Sequence, residues 1–90
     1  MHDANFLIEN NAKHFWHPMA HPAEMQAQPP KVITAAEGVE VTDVHGQRLL
    51  DAVGGLWNVN LGYSCQPVKD AIRDQLERLP YYSAFRGTST

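Results

Sequence analysis

From residue 66 to residue 79, apolar side chains recur at Val68, Ile72, Leu76 and Leu79, with Ala71 beside them. Steps of four, four and three hold these positions on one face of a 3.6-residue helix. Lys69, Asp70, Arg73, Asp74, Glu77 and Arg78 fill the other face, where Arg73–Glu77 and Asp74–Arg78 are spaced for i,i+4 pairing. Pro67 suits the first helical position and Pro80 stops the helix. The pattern changes period upstream. Val39 and Val41 alternate with Glu40 and Thr42, the signature of a strand with one buried face. Glu37-Gly38 marks a turn before it, and Asp43-Val44-His45-Gly46 marks a stronger one after it. Together these predict three short antiparallel strands, at about 31–35, 39–42 and 48–51. A three-strand meander is near the lower size limit for a stable sheet and needs a surface to pack on.

The two ends carry weaker patterns. Within residues 1–13, Phe6, Leu7 and Ala12 give slight support to a short helix that Asn10-Asn11 interrupts. Residues 14–30 hold Pro18, Pro22, Pro29 and Pro30, which fix φ and push the residues before them toward extended backbone. That stretch reads as an irregular arm with one helical turn. Its Phe15, Trp16, Met19 and Met25 are side chains that seek a surface to cover. The chain therefore divides into an N-terminal arm at 1–30, with room for a short helix, and a meander-and-helix portion at 31–90. The last residues, "YYSAFRGTST", follow a helix stop and bring three aromatics without a terminating element.

Composition narrows the function classes. Ninety residues make at most one small domain, with 43% hydrophobic and 19% charged residues in the globular range. A net charge of −3 without a basic run argues against nucleic acid and anionic membrane as partners. No run of about 18 apolar residues is present to span a bilayer. The start "MHDANFLIENN" lacks the basic flank and apolar core of a secretion signal, so a cytoplasmic location is expected. Cys65 has no cysteine partner and no adjacent activating base, and reads as an inert thiol.

Several constellations have chemical potential. His14, His17 and His21 are spaced for one helical face, as a zinc site requires, but Pro18 and Pro22 break that helix, so no metal is expected. Asp43 suits a turn residue bonding its own backbone, and Asp51, beside Gly54-Gly55, suits a carboxylate satisfying nearby amides. Neither has a poised partner for proton transfer, and no catalytic residue is assigned. Gly87-Thr88-Ser89-Thr90 is a weak phosphate-site candidate, since no helix follows it within these 90 residues. Trp57 is harder to place. A lone tryptophan is usually core, yet the glycine pair before it and the Asn58-x-Asn60-x-Gly62 run after it describe irregular backbone. Large rigid aromatics on such backbone also form pocket walls. Core and pocket wall both remain open on these grounds.

The succession "EGVEVTDVHGQRLLDAVGGLWNVNLGY", then a helix, then "LPYYSAFRGTST" resembles the N-terminal part of the class III aminotransferases, pyridoxal-phosphate enzymes of fold type I. Within them it is most similar to the omega-amino acid:pyruvate transaminase branch. The resemblance covers roughly residues 14–90. It is carried by Asp43-x-x-Gly46, Asp51, Gly54-Gly55-Leu56-Trp57, Gly62-Tyr63 and the "WHPM" of the arm. It departs where many members have an aromatic at the position of Leu49, and where the pyruvate branch often has a second aromatic at the position of Arg86.

The resemblance implies an α+β segment of a larger fold, not a complete domain: an irregular arm, a three-stranded antiparallel meander and one amphipathic helix of the small domain, plus the start of the link to the large domain. It implies transfer of an amino group from an amine or omega-amino acid to pyruvate or a similar keto acid. It places Leu56 and Trp57 in the substrate pocket, Met19 reaching the same pocket, and Phe85 in the active site of a partner subunit, with Arg86 beside it. A homo-oligomer, at least a dimer, is implied. The lysine that holds pyridoxal phosphate lies further along in the family, and Lys13, Lys31 and Lys69 do not sit at its position. The 90 residues alone are therefore expected to be inactive. The alternative is a truncated, non-catalytic remnant that serves only as an interaction or oligomerisation segment.

Overall fold

Asp3 opens the first helix by accepting a hydrogen bond from the Phe6 N–H at 2.9 Å. The computed structural model describes residues 3–89. Helix α1, Ala4–His14, runs straight through Asn10-Asn11, which the sequence pattern treats as an interruption. The Asn10 side chain instead donates to the Phe6 carbonyl one turn back at 2.9 Å, so its polar group is satisfied inside the helix. Lys13 and Glu9 add an i,i+4 pair at 3.6 Å. Within the proline-rich stretch after α1, helical content is confined to α2, Pro22–Ala27, where Pro22 sits in the first turn and the His21 side chain accepts from the Ala23 N–H. Helix α2 packs on α1.

The meander is β1 (Ile33–Glu37), β2 (Glu40–Asp43) and β3 (Arg48–Leu50), antiparallel throughout and in the order β1-β2-β3. Strand β1 starts at Ile33, after Pro29-Pro30, and runs on to Glu37. Its register slips between Ile33 and Ala35, and the Thr34 hydroxyl at the slip donates to the carbonyls of Thr42 and Asp43. The expected alternation of buried and exposed positions on β2 is absent. Glu40, Val41 and Thr42 are all half-buried, and Val39 lies in the turn, exposed. One-sided burial needs a second layer, and none covers the sheet within the described residues.

Asp43 closes the β2–β3 turn. At 4% exposure it is the one buried charged residue among those described. Its Oδ1 accepts from the His45 N–H at 3.0 Å and the Gln47 N–H at 2.9 Å, and Lys31 pairs with Oδ2 at 3.6 Å. The Gln47 bond above all, then the His45 bond and the Lys31 charge, hold the carboxyl below the usual aspartate value despite the opposing effect of burial. Its stabilising contribution is complete above the unfolded-state carboxylate value and is lost as pH falls through the depressed folded value. Urea midpoints measured across that acid window are expected to show a steep loss in the wild type. The loss should be shallower in Asp43→Asn, which keeps an acceptor oxygen but not the titration. Parallel acid limbs would overturn this assignment.

Helix α4, Gln66–Arg78, follows Cys65 and ends at Leu79, whose N–H bonds the Gln75 carbonyl at 2.8 Å. The two expected i,i+4 ion pairs do not form. Arg73 reaches back to Asp70 at 3.0 Å, and Arg78 donates to the Gln75 side chain at 2.7 Å. Three-residue spacing is as close on a helix surface as four, and here it wins. The apolar stripe is as the periodicity predicts: Val68, Ala71, Ile72, Leu76 and Leu79 line one shallow groove. That groove is open, with Ile72 and Leu76 exposed. Ala12 is the single buried apolar residue among those described. A chain with so little buried apolar surface has no closed core, as the segment reading requires.

Candidate functional site

Residues 51–65 connect the meander to α4 and carry most of the candidate positions. Both ends of this loop are tied to one hairpin turn. The Asp51 N–H donates to the Val39 carbonyl at 2.9 Å. The Tyr63 N–H donates to the Gly38 carbonyl at 2.7 Å, and the Gly38 N–H donates to Ser64 Oγ at 2.7 Å. Gly62 is needed for this docking. Its φ is +71°, and a Cβ there would lie 2.7 Å from the Gly38 carbonyl oxygen, a backbone atom that cannot move aside.

Between these ties the chain makes a single turn, α3, Gly54–Trp57. Its residues are left-handed: φ is +54° at Gly54, +59° at Gly55, +59° at Leu56 and +70° at Trp57. Glycine adopts this backbone freely, but each L side chain that does so costs about 1–2 kcal/mol. Leu56 and Trp57 both bear that cost. The turn is closed by the Trp57 N–H on the Val53 carbonyl and the Asn58 N–H on the Gly54 carbonyl, each at 2.9 Å. A Cβ at Gly55 would lie 2.6 Å from Val59 Cγ2, so the valine side chain would have to shift to admit it.

Asp51 holds the turn from below. Its Oδ2 accepts the Gly55 N–H at 2.7 Å and, on the same oxygen, the Tyr63 hydroxyl. This amide-satisfying role is the one the sequence suggests for Asp51. The tyrosine bond, followed by those of the loop amides, draws the Asp51 carboxyl below its usual value, and the same bond raises the Tyr63 hydroxyl. Tyr63 was legible only as half of a Gly-Tyr pair. Its partner lies twelve residues back, and no local signal joins the two.

The five pocket candidates fall into three places. Leu56 and Trp57 share α3 and are exposed, Trp57 at 81%. Met19 stands in the turn before α2 with φ +60° and is fully exposed. Phe85 is 78% exposed in the tail, with the Arg86 guanidinium 5.7 Å above its ring, and Arg86 has φ +60°. No hydrogen bond, ion pair or ring contact links the three places among the described residues. They have one property in common. The non-glycine residues with left-handed backbone among those described are Met19, Leu56, Trp57 and Arg86, four of the five candidates. Such backbone is uncommon for side-chain-bearing residues and concentrates at functional sites.

The other candidates have local duties. His14 ends α1, His17 stacks edge-on against Phe15 in the arm, and His21 caps α2. Lys13 and Lys31 are each ion-paired, and Lys69 lies on α4 near the Tyr63 loop. Helix α4 has proline in its first turn, which removes an amide that an anion would use. No helix among the described residues is long and apolar enough to cross a membrane.

The aminotransferase class-III family profile matches residues 21–89. The hypotaurine/taurine–pyruvate aminotransferase of Paracoccus denitrificans is 37% identical over 87 residues, covering 96% of this chain and 19% of that protein. An (S)-enantioselective omega-transaminase from Thermomicrobium roseum superposes with a TM-score of 0.80 at 34% identity, over 98% of this chain and 20% of its own. A thermostable omega-transaminase variant with one tryptophan changed to glycine, engineered for asymmetric synthesis of enantiopure bulky amines, superposes at 0.76 with 31% identity, covering 93% of this chain and 19% of its own. The chain thus spans about a fifth of the length of the relatives it matches.

Proposed function

Since the chain belongs to the class III aminotransferases, we propose that it is the N-terminal segment of an enzyme that moves an amino group from an amine or omega-amino acid to pyruvate or a similar keto acid. In this reading residues 1–30 are the arm, and residues 31–90 belong to the small domain and the start of its link to the large domain. The single observation that carries the site assignment is the coincidence of left-handed backbone with the candidate positions Met19, Leu56, Trp57 and Arg86. Leu56 and Trp57 form a wall of the amine pocket, Met19 approaches it from the arm, and Phe85 and Arg86 reach the active site of a second subunit. The bulky-amine purpose of the tryptophan-to-glycine relative supports an aromatic wall of this kind. The relative's use of pyruvate supports the acceptor. A cytoplasmic enzyme is the corresponding location.

The family implies pyridoxal phosphate as the electron sink of the reaction. The residues present here do not fit that group: Lys13 and Lys31 are paired with carboxylates, Lys69 lies on α4 beside the Tyr63 loop, and among the described residues no glycine-rich turn precedes a helix with free amides. The cofactor's contacts belong to the remainder of the protein, and this segment shapes the pocket. The full-length protein, given pyruvate and a panel of primary amines, is expected to form alanine in equal amount to the carbonyl product, whereas the 90-residue chain alone forms none. The exposed apolar groove on α4 favours the runner-up, a non-catalytic interaction segment. Absence of alanine with every amine in the panel would select that reading instead.

A further inference from the structure

We propose that Asp51 and Tyr63 are positioning residues that set amine-size selectivity by clamping the left-handed turn that presents Trp57. This rests on the reading of Trp57 as a pocket wall. Four consecutive left-handed residues, two of them with side chains, are not held by local preference. Something outside the turn must hold them. Gly55 N–H is fixed at 2.7 Å on Asp51 Oδ2, and the Tyr63 hydroxyl fixes the same oxygen from the far end of the loop. Asp51 and Tyr63 are themselves bonded through their backbone N–H groups to Val39 and Gly38. The hairpin turn between β1 and β2 is thus the base of a brace: Gly38 holds Tyr63, Tyr63 holds Asp51, and Asp51 holds Gly55, one residue before the Leu56-Trp57 pair. Removing the tyrosine hydroxyl opens the brace while leaving the ring in place, and Leu56 and Trp57 are then free to relax toward right-handed backbone. The wall moves although no residue of the wall has changed.

The test is steady-state kinetics on the full-length protein with pyruvate and two amines, one short and linear, the other branched and aryl-bearing. The readout is the ratio of their kcat/KM values. Tyr63→Phe and Asp51→Ala are expected to shift that ratio toward the bulky amine, chiefly through KM, by about 10-fold, the effect of a methylene-sized change in a pocket. Asp51→Asn retains an oxygen for the Gly55 N–H and is expected to restore most of the ratio. In a Trp57→Ala background, Tyr63→Phe should have most of its effect removed, because of the two wall residues it positions only the smaller, Leu56, remains. A merely structural role would lower both amines by one factor and leave the ratio unmoved, which overturns the clamp. Equal, additive effects of Tyr63→Phe with and without Trp57 overturn it as well. If Trp57→Ala shifts the ratio and Tyr63→Phe does not, the clamp fails alone. If Trp57→Ala leaves the ratio unchanged, the wall and the clamp fall together. Tyr63→Phe keeps the test decisive should Asp51→Ala not fold.

Discussion

Trp57→Ala in the full-length protein is expected to raise kcat/KM for bulky amines relative to small ones by about 10-fold or more, since even one methylene of added space in a pocket is worth that much. The effect should appear as selectivity rather than as lost fold. Trp57 is 81% exposed in this segment, so the segment itself offers it no packing to lose. Were Trp57 a core residue in the full-length protein, the same change would cost about 3–5 kcal/mol of stability and depress every amine alike. Comparing alanine with glycine separates wall from backbone. Alanine removes the indole but keeps a side chain at φ +70°, whereas glycine also relieves the strain there. Equal widening by both variants assigns selectivity to the indole's volume. Widening by glycine alone assigns it to the freedom of the turn. An amine profile unchanged in both would remove Trp57 from the pocket. Melting curves on the same samples show whether the protein has simply become less stable.

The legible parts of this fold were those governed by period and turn chemistry. Val68, Ile72, Leu76 and Leu79 announce α4 because helical spacing is a property of the local chain, and Leu79 was off by one position only because it caps the helix. Gly38 and Gly46 announce the meander because their left-handed backbone, φ +59° and +83°, is what tight turns demand. Asn10-Asn11 is a poor guide because asparagine competes with helix backbone in isolation, whereas here the Asp3 cap starts α1 and the Asn10 side chain bonds back to the Phe6 carbonyl. The alternation of β2 misled for another reason: burial on one face depends on a layer that these residues do not contain. Asp51 was readable as an acceptor for loop amides, but the Tyr63 half of its environment was not. Sequence gives no cue that Leu56 and Trp57 would stand in left-handed backbone, for leucine and tryptophan rarely do. What Gly54-Gly55 revealed was the hinge. The brace that makes the hinge useful arises only when the loop closes on Gly38.

Dilution is expected to lower the melting temperature of the full-length protein, because we propose an obligate homo-oligomer, at least a dimer, with Phe85 near a second subunit. For a dimer that folds as it associates, each tenfold dilution removes about 1.4 kcal/mol of apparent stability. The tail supports this placement. Phe85 is 78% exposed after the end of α4, with the Arg86 guanidinium over its ring, and both phenylalanine and arginine are residue types enriched at interfaces. The groove on α4 is also apolar and open, and the rest of the same chain is an equal candidate to fill it. Two variants separate these covers. Phe85→Ala is expected to weaken association by about 2 kcal/mol, the size of an interface hot spot, and to steepen the loss of stability on dilution. Ile72→Ala, if α4 is covered within its own subunit, is expected to lower the melting temperature by the same amount at every concentration, through the roughly 2–5 kcal/mol lost with a truncated core side chain. Sedimentation velocity across a hundredfold range of concentration, run beside the melting curves, reads both effects. A monomer at all concentrations, with a melting temperature that neither dilution nor Phe85→Ala moves, would sink the shared-site arrangement and leave Phe85 as a residue of the subunit's own pocket.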